Sequence, residues 1–463
     1  MPLLVKNGRV VNAEDERPAD VYAEDDRITR VEPDIDPASL PPGTQVIDAS
    51  GRLVFPGFID PHVHVHLRVM GTHARDDHAS ASRAALAGGT TTIIEMICPT
   101  ADDEPAAAFD TWSSLAEAGA CCDYSFHLAV VRFDAPARRQ LRDLVRDRGV
   151  ASFKIFLAYL GLDTPDEHLF ETLTLAKELG VIVTAHCENA VAIDRMQRRL
   201  IREGRTGPEW HEPSRPAFVE ADGVNHLCSF AQLTGAHLYI VHTSNGLALQ
   251  RALDARARGV SVWVESVVPH LVLDKSMAER GGFEGAKHVM SPPLREAHER
   301  DTLWNAIAAG DISTIATDHA PFDFATQKAT GRDDFTKIPS GIPSIQERVD
   351  LVHTHGVRQG RIDLPTMVAA CSTNAARLFG LYPRKGAVRV GSDADLVVYD
   401  PSFEGVFSRA QSLSRVDYNA YEGMPRRGRA EVVTLRGRVV ARDGTHVGPN
   451  GGGRYLPRDP THA

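Results

Sequence analysis

Pro56-Gly57-Phe58-Ile59-Asp60-Pro61-His62-Val63-His64-Val65-His66 sets a short apolar run against a polar end in which histidine alternates with valine. On a β-strand, residues i, i+2 and i+4 share a face. The spacing therefore directs His62, His64 and His66 toward one point. Neutral imidazole is the commonest protein ligand for a metal, so the run reads as part of a divalent-metal site. Standing alone, it reads better as a polar strand end with solvated histidines. What decides is whether the same plan, an apolar strand finished by a chemically capable side chain, recurs along the chain.

It does recur. Apolar runs end near Val63, Met96, Val131, Ala158, His186, His242, Pro269 and Thr317. Amphipathic stretches between them, such as 79–87, 166–179, 223–233, 246–257 and 300–309, predict helices. Eight strands with intervening helices predict an α/β chain built as a (β/α)8 TIM-like barrel. The wider gaps, after His186 and before Ile312, are then loop insertions. Both ends of the chain have a different texture. "LLVKNGRVV", "DVYAEDDRITRVEP" and "TQVIDASGRLVFPG" read as β-hairpins punctuated by Gly, Asp and Pro, and "GAVRVGSDADLVVYDP" and "AEVVTLRGRVVARDGTHV" match them near the other end. We expect residues 1–53 and 385–447 to form one small β-sandwich domain built from both termini, around a barrel over 54–384. "GPNGGGRYLPRDPTHA", 448–463, reads as a loose C-terminal tail.

Composition excludes several classes. A net charge of −10 argues against nucleic acid and against an anionic membrane surface as partners. No apolar stretch approaches the roughly 18–20 residues that span a bilayer, and the N-terminus lacks a signal-peptide pattern. The 6 cysteines include no Cys-x-x-Cys and form no disulfide framework. Reduced thiols in a cytoplasmic protein are the expectation. Gly88-Gly89-Thr90-Thr91-Thr92 precedes a strand and reads as a helix cap, not a phosphate cradle. Gly-x-Gly-x-x-Gly, Walker A, Gly-x-Ser-x-Gly and His-Glu-x-x-His motifs do not occur.

In a barrel of this kind the active site lies at the C-terminal ends of the strands. There the sequence supplies His62 and His64, then Lys154, His186, His242 and Asp318. Any one has a bland reading: a hydrogen-bonded core histidine, or an aspartate capping a turn. Lys154 is the hardest to dismiss. In Ser152-Phe153-Lys154-Ile155-Phe156, alternation points it into the barrel if Phe153 and Ile155 face the helices. A buried ammonium costs several kcal/mol unless paired, and metal ions would repel it. Carbamylation by carbon dioxide turns the amine into an anionic group able to bridge two metals. His62, His64 and Asp318 would hold one ion, and His186 and His242 the other. The small positive charge left over suits a transition-state oxyanion.

These residues resemble the dihydropyrimidinase/D-hydantoinase family, the cyclic amidohydrolases of the amidohydrolase superfamily. Ser152-Phe153-Lys154-Ile155-Phe156-Leu157-Ala158-Tyr159 is similar to the family's carbamylated-lysine strand, and Ser291-Pro292-Pro293-Leu294-Arg295 to a substrate-loop motif. "TDHAPFDFATQKATGRDDFTKIPSGIPSIQERVDL", "LYPRKGAVRVGSDADLVVYDP" and "VDYNAYEGMP" extend the resemblance over nearly the whole chain. It implies a binuclear zinc hydrolase (Mn²⁺ or Co²⁺ being alternative metals), carbamylated at Lys154 by carbon dioxide or bicarbonate, and a homotetramer. It implies ring opening of dihydropyrimidines or 5-substituted hydantoins to N-carbamoyl amino acids. Asp318 is then the proton shuttle and Tyr159 the donor to the developing oxyanion. Ser291 and the Ser340-Gly341 turn bind the ureide edges, largely through backbone groups.

The sequence departs from that family at three places. The triple histidine leaves the register open, because His64-Val65-His66-Leu67-Arg68 also resembles a dihydroorotase signature; the spacing from Asp60 and to Met70-Gly71 favours His62 and His64 as ligands, with His66 near the substrate. His66 and Arg68 stand where Asp and Pro are usual, and an inward Arg68 would receive an anionic substrate while an outward one would be a surface residue. Ser340 replaces an asparagine. Alternative readings are a hydrolase of another cyclic ureide, allantoin or dihydroorotate, and a non-catalytic scaffold related to dihydropyrimidinase. The filled ligand positions argue against the scaffold. The ring substituent depends on loops carrying Val65, His66, Arg68, Met70, Leu157, Leu160 and Leu162.

Overall fold

A computed structural model describes residues 2–159 and 163–461. Its centre is an eight-stranded parallel sheet in sequential order. The strands are β1 (Phe58–Val63), β2 (Thr90–Ile97), β3 (Asp123–Ala129), β4 (Ser152–Phe156), β5 (Ile182–His186), β6 (His237–Ile240), β7 (Val262–Val267) and β8 (Thr314–Ala316). The first and last strands meet: Asp318 N donates to His62 O at 3.0 Å and His64 N to His319 O at 2.8 Å. The sheet is thereby a closed barrel. Helices α1 (His78–Ala87), α2 (Pro105–Gly119), α3 (Ala135–Arg148), α4 (Asp166–Leu179), α5 (Ala190–Arg202), α6 (Ala217–Thr234), α7 (Gly246–Ala257) and α8 (Ala297–Ala309) follow the strands. Asp77 and Ser80 start α1 with a reciprocal capping box, and left-handed Gly149 and Gly180 end α3 and α4.

Strands covered on both faces need apolar residues on both, and alternation sorts them. Phe58, Ile93, Phe153, Ile155 and Val183 join the layer beneath the helices, with Leu86, Phe109, Leu141 and Leu173. Ile59, Ile94, Met96, Ile182 and Tyr239 fill the barrel interior. β1 breaks this parity once. Its pairing with β2 passes from Asp60 opposite Ile93 to Val63 opposite Glu95, three residues against two. Such a bulge re-aims the side chains beyond it. Pro61, which has no N–H for the ladder, sits at the bulge.

Both ends of the chain contribute to a seven-stranded sheet, in which Leu53–Pro56 pairs with Leu396–Val406, and residues 3–48 also supply a four-stranded sheet. Two expectations need correcting. Neither "LLVKNGRVV" nor "TQVIDASGRLVFPG" is a hairpin. Leu3–Lys6 pairs in parallel with Gln45–Asp48, and Arg9–Val11 pairs in parallel with Leu53–Pro56 in the other sheet. The Asn7-Gly8 turn therefore carries the chain between sheets, because burying an apolar face on each layer outweighs local pairing. Nor is the C-terminus loose. Leu456 and Arg458 are buried, and Leu456 N donates to Tyr124 O at 2.7 Å. Arg458 Nε donates to Ser125 Oγ at 2.7 Å and Nη2 to Ser152 Oγ at 2.9 Å. The segment closes the bottom of the barrel, and Leu456 joins the interior cluster.

Candidate metal centre

Because of the bulge, His62 and His64 leave β1 on the inner side, while Val63 and Val65 join the outer layer. His62 Nε2 and His64 Nε2 lie 3.2 and 3.1 Å from the same Asp318 Oδ1. Across the mouth, His186 Nδ1 at the end of β5 stands 3.0 Å from His242 Nε2 just beyond β6. The two pairs adjoin, with the His62 and His242 rings 5.4 Å apart. Lys154 is buried on the inner side of β4, and among the described residues no carboxylate forms an ion pair with it. Asp318, His186 and His242 all feel its charge.

Two of these residues hold left-handed backbone, His242 at φ 40° and Asp318 at φ 51°. Such strain persists only where the surroundings enforce it. His242 N donates to Glu265 Oε1 at 2.9 Å. Beside Asp318, His319 is clamped through Nε2 to Asp76 Oδ2 at 3.0 Å, while its Nδ1 accepts from Ser344 N at 3.1 Å.

Burial keeps His186 and His242 below the ordinary imidazole value, so both are neutral imidazoles at neutral pH. Burial works to raise Asp318, but His62 and His64 outweigh it and hold the carboxyl near about 2. Burial works against a charged His64, yet the Asp318 carboxylate and the neighbouring Cys98 thiol push it up to about 9. Burial brings Lys154 down to about 8, so more of it is neutral, nucleophilic amine near neutral pH than of an ordinary lysine.

The donor set fits divalent metal. The ligand atoms of His62, His64 and Asp318 all lie within 4.8 Å of one another. His62 Nε2 is buried without a hydrogen-bond partner, an orphan that a cation would satisfy. Imidazole nitrogens with a carboxylate oxygen suit zinc and its first-row neighbours.

Tyr159, half-buried, sits over the second pair, its ring 5.2 Å from that of His186. Burial pushes its hydroxyl up to about 12, so it stays a proton donor. Ser291 neighbours that hydroxyl, and its own Oγ donates to Ser340 Oγ at 3.2 Å. Gly341 is required by close approach: a Cβ there would lie 2.2 Å from Ala320 O. Its N–H is engaged by Val289 O at 2.9 Å, so it is Ser340 that this turn can offer a ligand.

His66 and Arg68 are not brought to the metal-binding set. His66 turns at φ 56°, and its ring lies 5.0 Å from that of His78 of α1, tilted by 45°, on the helix side. Arg68 is exposed on a hairpin of Arg68–Val69 with Thr72–His73, where its field reaches Asp103. Val65 is buried in the outer layer and Met70 is exposed. Leu160 and Leu162 lie outside the described residues.

Sequence reasoning missed Glu265, Glu188, Arg215 and Cys98. Glu265 Oε1 lies 2.7 Å from His62 Nδ1, and Glu188 Oε2 lies 2.7 Å from His186 Nε2. Arg215 pairs with Glu188 and lies over the Tyr159 ring at 5.3 Å. A signal for Glu265 was available: a carboxylate within the apolar "VWVESV", the same anomaly that exposed Lys154.

Comparison with known proteins points to one family. The amidohydrolase family profile matches residues 53–440. The chain is 42% identical over 460 residues to a D-hydantoinase of Geobacillus stearothermophilus, covering 99% of this chain and 97% of that protein. It is 38% identical over 462 residues to a dihydropyrimidinase of Rattus norvegicus, covering 99% and 89%. Among solved structures, a D-hydantoinase (dihydropyrimidinase) from Thermus sp. superposes with a TM-score of 0.97 at 52% identity, covering all of both chains.

Proposed function

This chain belongs to the amidohydrolase family, and from that premise we propose a metal-dependent hydrolase that opens dihydropyrimidines or 5-substituted hydantoins to N-carbamoyl amino acids. It is an enzyme of the cyclic-amide-hydrolysing, dihydropyrimidinase/D-hydantoinase type. The observation that carries the reading is the convergence of both histidine pairs, Asp318 and Lys154 beside the hydroxyls of Tyr159, Ser291 and Ser340.

His62, His64 and Asp318 would bind one ion, His186 and His242 a second, and Lys154, carbamylated by carbon dioxide, both. When bound, two zinc ions (or Mn²⁺ or Co²⁺) supply an activated water as nucleophile and polarise the ring carbonyl. Asp318 accepts the proton of the attacking water and returns it to the leaving ring nitrogen. Tyr159 donates a hydrogen bond to the carbonyl oxygen as negative charge builds there. Ser291 and Ser340 orient the ureide edge, and Gly341 lets that turn approach. The ring C–N bond breaks, and the product carries a new carboxylate and a free ureido group.

We also carry forward the division into a barrel and a two-ended β-sandwich, a homotetramer and a cytoplasmic location. Among the described residues, no helix is long and apolar enough to cross a membrane. The exposed Arg68 gives no support to an anionic ring.

Ring opening forms an acid, so a pH indicator reads it. Zinc-loaded, bicarbonate-treated protein should turn over dihydrouracil and hydantoins, with allantoin and dihydroorotate slow. Activity confined to dihydroorotate or allantoin, or to none of them, overturns this substrate class.

A further inference from the structure

Each histidine pair contains one imidazole backed by a buried carboxylate and one that is not. His62 Nδ1 lies 2.7 Å from Glu265 Oε1, and His186 Nε2 lies 2.7 Å from Glu188 Oε2. The far nitrogens of the other two, His64 Nδ1 and His242 Nδ1, are buried with no hydrogen-bond partner. A carboxylate behind a ring holds the proton on the rear nitrogen, turns the lone pair of the front nitrogen toward a metal and raises its basicity. The front nitrogens are the ones that converge: His62 Nε2 toward Asp318 Oδ1 at 3.2 Å, His186 Nδ1 toward His242 Nε2 at 3.0 Å.

The two carboxylates differ in their surroundings. Glu188 also pairs with the Arg215 guanidinium, which balances its charge. Glu265 is fully buried on β7. Its partners are the His62 ring, the His242 main-chain N–H at 2.9 Å and the Tyr239 hydroxyl at 2.8 Å. None of these is a lysine or arginine, and a buried carboxylate with no fixed cation is costly unless a cation sits nearby. Glu265 also touches both halves of the centre, through the ring of His62 and the strained backbone of His242.

We propose that Glu188 and Glu265 are positioning residues that set the affinity of the two metal half-sites separately, Glu188 through His186 alone, Glu265 through His62 and, by its hold on His242, through both. The proposal rests on the metal-centre reading above. It predicts an asymmetry: Glu188→Gln weakens one ion and leaves the other, whereas Glu265→Gln weakens the His62/His64/Asp318 ion most and the second ion less.

The test is the metal content of purified holoprotein after equilibration against graded zinc–chelator buffers, with the visible spectrum of the cobalt-loaded protein as a second readout. Wild-type protein should hold two ions per subunit. Each Gln variant should lose about 10- to 100-fold in affinity for its first-named ion, with a shifted cobalt spectrum and an unchanged melting transition. Glu188→Asp and Glu265→Asp retain the charge but shorten the reach, and should show the same ranking if a Gln variant fails to fold. Two ions held by the variants as tightly as by wild type overturn the positioning role. So does loss of both ions only where melting also collapses. A wild-type protein that binds no metal overturns the metal-centre reading itself, a result separable from the other two.

Discussion

Asp318 works from a backbone conformation that costs of order 1–3 kcal/mol, held by its N–H to His62 O and by the clamp on His319. Rigid placement between two imidazoles is what a proton shuttle needs. Asp318→Ala should keep the fold, checked by circular dichroism, and lower kcat on hydantoin by about 10²–10⁴. Near-normal turnover would remove the shuttle. Tyr159→Phe keeps the ring against His186 and deletes only the donor, so kcat should fall about 10²–10³ with KM changed far less. A change confined to KM would make Tyr159 a binding residue instead. Lys154→Ala should lose metal and activity together, and millimolar short carboxylic acids should restore part of both. Full zinc content in that variant without added acid would rule out a bridging carbamate.

At the scale of elements, the bulge in β1 and the loop after β8 are built as one unit. Asp76, beyond the strand-1 hairpin, joins His319, Ser414 Oγ at 2.6 Å and Arg415 N at 2.8 Å. Burial alone would raise its carboxyl, but the hydrogen bonds from His319, Ser414 and Arg415 outweigh burial and hold it below the ordinary value. A depressed carboxyl contributes stability above its unfolded value of about 3.9, and that contribution fades as pH falls through the folded value. Asp76→Asn should therefore melt below wild type at pH 7, and the gap should narrow as the pH approaches 3. A gap that stays constant across that range would show that the Asp76 charge contributes nothing.

At the scale of the molecule, the barrel's two ends have different occupants. The upper end carries the candidate metal-binding residues, and the lower end is closed by the C-terminal segment. Lys385 fastens this lower side to the terminal sheets. Its Nζ sits among Asp123 of β3, Asp393 and Asp395 at 2.7, 2.9 and 2.6 Å. Those carboxylates cluster tightly enough to suggest a metal site, but the lysine ammonium already fills it. Leu456→Ala should cost about 2–5 kcal/mol as a cavity beneath Ile59 and Met96, read from the urea midpoint, with kcat little changed. A loss below about 0.5 kcal/mol would mean the segment covers the barrel without stabilising it.

The order of eight apolar strands, their helices and the polar residues that finish them was legible in the sequence, because strand burial and helix amphipathicity are local patterns. Lys154, His186, His242 and Asp318 stood out for the same reason: each interrupts or ends an apolar run. Tertiary structure decided what local pattern leaves open. Alternation alone cannot say which face His62 takes, since one extra residue inverts every side chain beyond it; only the register against β2 places the bulge at Pro61. The left-handed backbone of His66 itself, at φ 56°, then sends it to His78 instead of the centre. Glu188 and Glu265 gain meaning only when strands far apart in sequence bring a ring against each. The tail reads as polar and glycine-rich, and only the open lower end of the barrel gives Leu456 and Arg458 somewhere to be buried.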